Sequence, residues 1–378
     1  MNKRFLIRKL KWLDMMRERG IDVAQMIDDF NMRLKEVDAN SLEAGNIYYR
    51  LGEIYEEMGE LESSIDYHKK GLEIRKHILG DIHNDTANSY SALGNIYCLL
   101  GDYDEALPLC QEALRIKKLQ LKDHADVAFA YDDVGMIYME MGEISEALKY
   151  YTDSLKIRKQ LLGENHTDTA ISYSNISLSY FCLERFEEAL DAQEHALNIR
   201  ESKLGTDNEY TALSYFEVGD IYYCMLEPIL AKDNYEIALR TQLKVLEPDD
   251  INLANTHAGI GRVNIYTKEY DSAIYHYEEA LAIYNAVVDE EDKYIYESSY
   301  DGLGNAYYGK AEILYKEFEY QKSVELMEKA VQCLQQVKHH VETNIEKIYN
   351  RMGDIYFDLK NEELSMKYYK LAMEVKGK

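Results

Sequence analysis

Cations are scarce in this chain of 378 residues, where 43 Lys+Arg stand against 69 Asp+Glu for a formal net charge of −26. Binding a phosphate backbone needs clustered cations, so the balance excludes nucleic acid and favours a basic partner, or an apolar one with a basic flank. Long apolar runs are missing too: nothing approaches the ~18 uninterrupted residues of a membrane-spanning helix. The opening Met1-Asn2-Lys3-Arg4-Phe5-Leu6-Ile7-Arg8-Lys9 is basic but lacks the apolar core of a secretory signal. A cytoplasmic location without a membrane span is the resulting expectation. With 3 prolines and no Ser/Gly-rich tract, no segment reads as a linker or disordered tail. The five cysteines (Cys98, Cys110, Cys182, Cys224, Cys333) form no CxxC pair, and are expected as small buried hydrophobes in a reducing compartment.

Catalytic signatures are equally sparse. There is no GxSxG, no HExxH and no Cys/His constellation. Gly304-Asn305-Ala306-Tyr307-Tyr308-Gly309-Lys310-Ala311 nearly spells a phosphate loop, but it ends in Ala where Mg²⁺ needs a hydroxyl and falls inside a helical pattern with no preceding strand. Gly259-Ile260-Gly261 also lacks a strand before it. His339 and His340 are adjacent, so on a helix they point about 100° apart and share one ion poorly. No catalytic residue, metal or cofactor is expected.

What the chain has is a repeat. Glycine followed three residues later by tyrosine recurs at Gly52/Tyr55, Gly94/Tyr97, Gly135/Tyr138, Gly219/Tyr222, Gly304/Tyr307 and Gly353/Tyr356, with Ser177/Tyr180 and Gly261/Asn264 filling the ruler. The interval is close to 42 residues until the last step. Small residues follow each marker at +12 (Ser64, Ala106, Ala147, Ala189, Ala231, Ala273, Ser365) and at +19 (Gly71, Ala113, Ser154, Ala196, Ala238, Ala280, Ala372). After Gly304 both come seven later, at Ser323 and Ala330, which reads as two extra turns in a lengthened helix near 304–318. Each unit reads as two helices, such as Thr86–Leu100 and Tyr103–Leu119 around Gly101-Asp102. Gly80, Gly163 and Gly205 are candidate C-terminal caps, and Thr86, Asp168 and Thr211 candidate N-terminal caps. A single pair cannot bury its apolar faces, so the pairs must stack.

The pattern resembles the tetratricopeptide repeat, and its period most resembles the kinesin light chain-like subclass. Leu162-Gly163-Glu164-Asn165-His166-Thr167-Asp168-Thr169-Ala170 between repeats carries the likeness, with Tyr103-Asp104-Glu105-Ala106-Leu107-Pro108-Leu109-Cys110-Gln111-Glu112-Ala113-Leu114 on a second helix. The usual proline after the linker histidine is replaced by Asn84, Ala125 or Thr167. The usual paired asparagines are reduced to Asn95 and Asn175, and the long heptad region is missing. The resemblance implies an all-α, right-handed superhelical solenoid of about eight antiparallel helix pairs over residues 41–378, and peptide binding on the first helices. Residues 1–40 read as an atypical pair, Lys3–Arg19 and Asp22–Val37. It serves as a cap, a basic arm folding into the groove, or a membrane-surface helix. At the other end, Glu362–Lys376 is expected to leave Leu364, Tyr368, Leu371 and Val375 partly bare, and so to favour self-association.

In the repeat family the first helices line the concave surface. The stripe at −6, −3, +1 and +4 from each marker is polar in repeats 1 and 2 (Asn46, Tyr49, Glu53, Glu56; Asn88, Ser91, Asn95, Cys98). It turns apolar in repeats 3 to 5: Phe129, Asp132, Met136, Met139; Ile171, Ser174, Leu178, Phe181; Leu213, Phe216, Asp220, Tyr223. Large side chains free of packing duty want a partner, and methionine suits varied ligands. Asp132 and Asp220 are expected to orient a cationic residue of that partner. The carboxylate clamp of some tetratricopeptide domains has only Asn88, Asn95 and Arg262 here, too scattered to serve. The expected function is a non-catalytic adaptor binding an apolar, basic-flanked peptide. The alternatives are a peptide-sensing regulator resembling bacterial pheromone receptors, whose coil tightens on ligand, and an assembly subunit of a larger complex.

Overall fold

The computed structural model describes residues 22–121, 124–288, 296–337 and 342–376. The segment Lys3–Arg19, Gly20 and the pair His339-His340 lie outside the described residues. Among the described residues there are helices and turns but no strand. The chain divides into two compact units between Ile199 and Arg200, each described by itself below.

Helix α1 (Val23–Glu36) precedes eight antiparallel pairs: α2 (Leu42–Glu57) with α3 (Leu61–Leu79), α4 (Asn84–Leu100) with α5 (Tyr103–Leu121), α6 (Ala125–Glu140) with α7 (Ile144–Leu162), and α8 (Thr167–Cys182) with α9 (Phe186–Leu204). Then come α10 (Glu209–Cys224) with α11 (Pro228–Val245), α12 (Ile251–Tyr266) with α13 (Tyr270–Val287), α14 (Glu297–Lys316) with α15 (Tyr320–Leu334), and α16 (Glu342–Asp358) with α17 (Glu362–Lys376).

The small residues that mark the repeat work as close-approach points. Ser64 Oγ donates to the Gly52 carbonyl at 2.7 Å and Ser365 Oγ to that of Gly353 at 3.0 Å, each tying the +12 position to its marker. The marker itself makes room for the residue at +16. A Cβ on Gly135 would lie 2.8 Å from the Tyr151 ring, and one on Gly219 2.7 Å from that of Tyr235. Tyr235 is fully buried and donates to Asp220 at 2.6 Å, so its ring has nowhere to retreat. Gly219→Ala will therefore cost about 1–3 kcal/mol by overpacking, despite alanine's better helix propensity. A urea titration of the purified variant reads this directly.

The seventh repeat differs from the sequence expectation. Ser323 Oγ donates to the carbonyl of Ala311, at 2.8 Å, so Ala311 and not Gly304 holds the marker position. The extra residues lie before that point, and α14 has 20 residues where α10 and α12 have 16. The near-phosphate loop Gly304–Lys310 is helical within α14, with no turn in which backbone N–H groups gather.

The caps also differ. His83 and His166, not Thr86 and Asp168, are the N-caps of α4 and α8: their ring Nδ1 atoms accept from the backbone N–H of Asp85 and Asp168. His124 does the same for α6, and Asn208 replaces Thr211 at α10. An imidazole acceptor satisfies one of the orphan donors of a first turn as a carboxylate would. Thr86, Thr169 and Thr211 donate instead to the carbonyls of Gly80, Gly163 and Gly205. Those glycines terminate the preceding helices as expected, with φ of 90°, 89° and 84°. The turns inside the pairs need the same left-handed backbone. Gly59, Gly101 and Gly142 supply it, but Glu184, Leu226, Lys268, Phe318 and Lys360 adopt it with side chains, at about 1 kcal/mol each.

Buried cysteines are confirmed only in part: Cys98 and Cys110 are buried and Cys182 is exposed. On α17 Leu364, Leu371 and Val375 are partly exposed as expected and Met366 and Met373 more so, at 72% and 74%, whereas Tyr368 is buried and stacked on Tyr356 at 5.5 Å.

Candidate functional site

In the first unit, α6 and α8 carry two matched rows of half-exposed apolar side chains. Phe129 and Ile171 share the −6 position, at 45% and 41% exposure; Met136 and Leu178 share +1, at 36% and 41%. Core-facing neighbours on the same helices, Val134, Ile137 and Ala170, are at 0%. The helices thus spend one apolar face on the core and still offer a second, which is why their polarity is one-sided nowhere. Ser179 Oγ meets Met139 Sδ at 3.6 Å, joining α6 to α8. Met139 is accordingly drawn partly into the core, and Phe181 packs edge-on against Phe186 at 5.7 Å.

Between the rows lies the −3 position, Asp132 on α6 and Ser174 on α8. The expectation that Asp132 awaits a partner's cation is corrected. Arg158, reaching from α7 and only 1% exposed, sits 2.6 Å from Asp132 Oδ2, donates to Ser172 Oγ at 2.6 Å, and lies 4.8 Å beneath the Phe129 ring. Burial pushes the Asp132 carboxyl up to about 6, with Arg158 pulling the other way.

Arg158 belongs to a ladder not foreseen from the sequence. Arg75, Lys117, Arg158 and Arg200 each stand four residues after the +19 small residue, and all are buried. Arg75 donates to Asn46 and Ser89, and Arg200 to Ser214 in the second unit. Lys117 faces Asp133, which accepts from Asn95 at 3.3 Å. A basic residue recurring at that offset was the available signal. These cations buttress first helices from below, so the free face of the first unit has a polar, cationic underlay.

At the start of that unit, α1 lies against α2 without burying a single residue. Met26 and Phe30 with Tyr49, Glu53, Asn88 and Asn95 line an open cleft of about 580 Å³. Asp22 caps α1 by accepting from Ala24 and Gln25, and Arg33 pairs with Glu43 at 2.8 Å.

In the second unit the corresponding residues are more engaged. Asp220 accepts from Tyr235 and from Arg262, each at 2.6 Å, and the Arg262 guanidinium lies 4.2 Å over the Tyr223 ring. Phe216 packs on Tyr235 at 5.6 Å, and Leu213, Phe216 and Tyr223 are all only partly exposed. Asp220 is therefore already neutralised by its own neighbour repeat and is not an open anchor for an incoming cation. Arg351 repeats the device, bonding Glu312 at 2.6 Å and covering Tyr315 at 4.9 Å.

No group of three potential metal ligands comes together among the described residues, and none of the described helices is long and apolar enough to cross a membrane.

Paired helices on a 42-residue interval, with small residues at each crossing, define a helical repeat protein. Sequence profiles of the tetratricopeptide repeat match residues 43–119, 126–202, 168–236 and 210–286, and a second such profile matches 346–378. The chain belongs to the tetratricopeptide repeat family. No curated protein matches the sequence. Among solved structures, BtubC (BKLC) from P. vanneervenii is similar at 22% identity, covering 60% of this chain and 91% of that one with a TM-score of 0.53. A Rap protein complexed with Competence and Sporulation Factor is similar at 12% identity over 99% and 98% of the two chains, TM-score 0.54. The apo quorum sensor NprR from B. thuringiensis is similar at 18% identity over 99% and 98%, TM-score 0.53. Tetratricopeptide repeats are, as a class, scaffolds for protein interaction.

Proposed function

We propose that the chain is an adaptor that holds a peptide segment, apolar with basic flanks, on the free face of repeats 3 and 4. The observation that carries this reading is the double row Phe129/Ile171 and Met136/Leu178, four large apolar side chains left half-bare at matched repeat positions. Scattered exposed apolar residues need no explanation, but an ordered pair of rows does. The net charge of −26 supplies the preference for basic flanks. In the second unit Leu213, Phe216 and Tyr223 are only partly exposed and Asp220 is already paired with Arg262, so the proposal is confined to the first unit.

The test begins with a random dodecapeptide library displayed on phage and selected on the purified protein. Selected sequences will combine apolar residues with Lys or Arg. Met136→Glu combined with Leu178→Glu will weaken their binding at least about tenfold, by desolvating charge against the apolar peptide. Both sites face solvent, so the melting temperature will stay within a few degrees of wild type. Acidic selected peptides, or binding indifferent to the double variant, overturn the proposal.

A second reading is favoured by the likeness to the Rap and NprR chains, which spans 99% of this one. On that reading the bound peptide is a signal that compacts the solenoid and alters the docking of another protein. A fall in the radius of gyration on adding a selected peptide supports it, and an unchanged scattering curve at saturation removes it.

A further inference from the structure

The amino-terminal end of the first unit's stripe is bordered by a helix that buries nothing. The apolar residues of α1, Val23, Met26, Ile27, Phe30 and Leu34, fall on one face at helical spacing, yet all five are only partly buried. Met26 and Phe30 line the open cleft of about 580 Å³ together with Tyr49 and Glu53 of α2 and Asn88 and Asn95 of α4. Those α2 and α4 positions belong to the same stripe that leaves Phe129, Met136, Ile171 and Leu178 half-bare in repeats 3 and 4. The cleft adjoins that bare stretch, because Asn95 donates to Asp133 on α6 at 3.3 Å. The fastening of α1 is slight. Arg33 pairs with Glu43 at 2.8 Å, but both side chains are about half exposed, so water screens the pair. On α2 beside it Leu51 is completely buried, whereas α1 has no such residue. At 14 residues, α1 is also near the lower limit of about 12–15 at which a helix holds itself together in water. Its helix depends on docking, and its docking is shallow.

We infer that α1 is a displaceable strap, an internal occupant of the groove that an incoming peptide must dislodge; the inference rests on the proposed binding face. A peptide whose apolar residues seat in repeats 3 and 4 extends its basic flank into the cleft, in place of Met26 and Phe30. The charge of the cleft suits such a flank. The carboxylates of Glu53, Glu56 and Glu57 stand against the cations of Arg50 and Lys117, three against two, an excess of one negative charge. The aliphatic stem of a lysine or arginine replaces the apolar wall that Met26 and Phe30 supply. Binding is then weakened by the strap, since only the fraction of molecules with α1 lifted is competent.

The experiment compares the full chain with its Met26→Ser, Phe30→Ser variant, which weakens the hold of α1 without adding charge. Neither side chain is fully buried, so the melting temperature stays within a few degrees of wild type. Two probes are used: a selected dodecapeptide, and a fluorescein-labelled synthetic peptide of residues 22–37. Freed of the strap, the variant binds the selected peptide about tenfold tighter than wild type does. Hydrogen exchange of wild type shows the α1 amides losing protection as that peptide binds, while those of α2 keep theirs. The labelled α1 peptide binds the variant, and an excess of selected peptide releases it. Equal affinity of the two proteins, or α1 protection that the selected peptide leaves unchanged, overturns the inference while the proposed function stands. If selection yields no peptide at all, the proposed function fails, and the α1 peptide alone decides. Binding to the variant at least about tenfold tighter than to wild type then supports the strap; equal binding, or none to either, ends it.

Discussion

Replacing Arg158 by alanine will destabilise the protein by about 3–5 kcal/mol, the range for removing one partner of a buried ion pair. The guanidinium is 1% exposed, pairs with Asp132 at 2.6 Å, holds Ser172 at 2.6 Å and supports the Phe129 ring from below. Alanine leaves Asp132 in the same dry place with no cation, so its carboxyl, already lifted to about 6 by burial, rises further and takes up a proton near neutrality. The double variant Asp132→Leu, Arg158→Met will recover most of the loss, because it removes both charges and keeps the volume. Urea midpoints of the four proteins in this cycle measure the coupling. An exposed ion-paired arginine is the control: Arg115→Ala, which removes the contact to Glu112 at 2.7 Å, will leave the urea midpoint essentially where it is.

Between about pH 6.5 and pH 4, His68→Tyr will lose less stability on acidification than wild type. His68 is fully buried with neither ring nitrogen hydrogen-bonded, and burial together with Arg75 lowers it to about 4. A folded-state value below the unfolded 6.5 means that the unfolded chain binds the proton first. The contribution of His68, up to about 3 kcal/mol, is thus intact above 6.5, falls as pH drops, and stops falling below about 4. His276 is lowered to about 4 in the second unit, by burial, by His257 and by Lys232. Its Nδ1 lies 2.9 Å from that of His257, a pair that shares a single proton and cannot hold two without repulsion. Asp132 runs the other way: its raised value makes the folded state gain stability as pH falls from 6 towards 4. Asp133 in the first unit and Asp301 in the second, also raised by burial, act in the same sense as Asp132, so the histidine contribution is read from the difference between wild type and variant. Tyrosine is the natural replacement at His68, since Tyr151, Tyr235 and Tyr277 hold the same repeat position. A series of urea titrations across this pH range checks both the direction and the effect of the variant.

The repeat was legible in the chain because close helix crossings tolerate only small residues, and Ser64 and Gly219 reveal themselves by recurrence alone. The same spacing misplaced one marker. Gly304 looks like the member of the series, yet the hydrogen bond from Ser323 selects Ala311, since a helix is indifferent to which small residue sits at the crossing. The stripe is legible by counting along the chain; its electrostatics are not. Whether Asp132 or Asp220 is free depends on what the second helix beneath or the next first helix brings, and Arg158 and Arg262 lie 26 and 42 residues further on. Exposure was likewise hidden: Phe129 and Phe216 share the apolar stripe, but only the second has a tyrosine ring of its own repeat to lean on.

The proposed function requires Phe129, Met136, Ile171 and Leu178 to form a face held open for another molecule. Calorimetric titration of a selected apolar, basic-flanked peptide into wild type and into the Met136→Glu, Leu178→Glu variant is the most direct measurement. Saturable one-to-one binding by wild type, reduced at least about tenfold in a variant with an unchanged circular dichroism spectrum and melting temperature, is the predicted result. Equal affinity for the two proteins, or a variant that no longer folds, would contradict it, since either outcome means those side chains serve the protein's own structure or nothing at all.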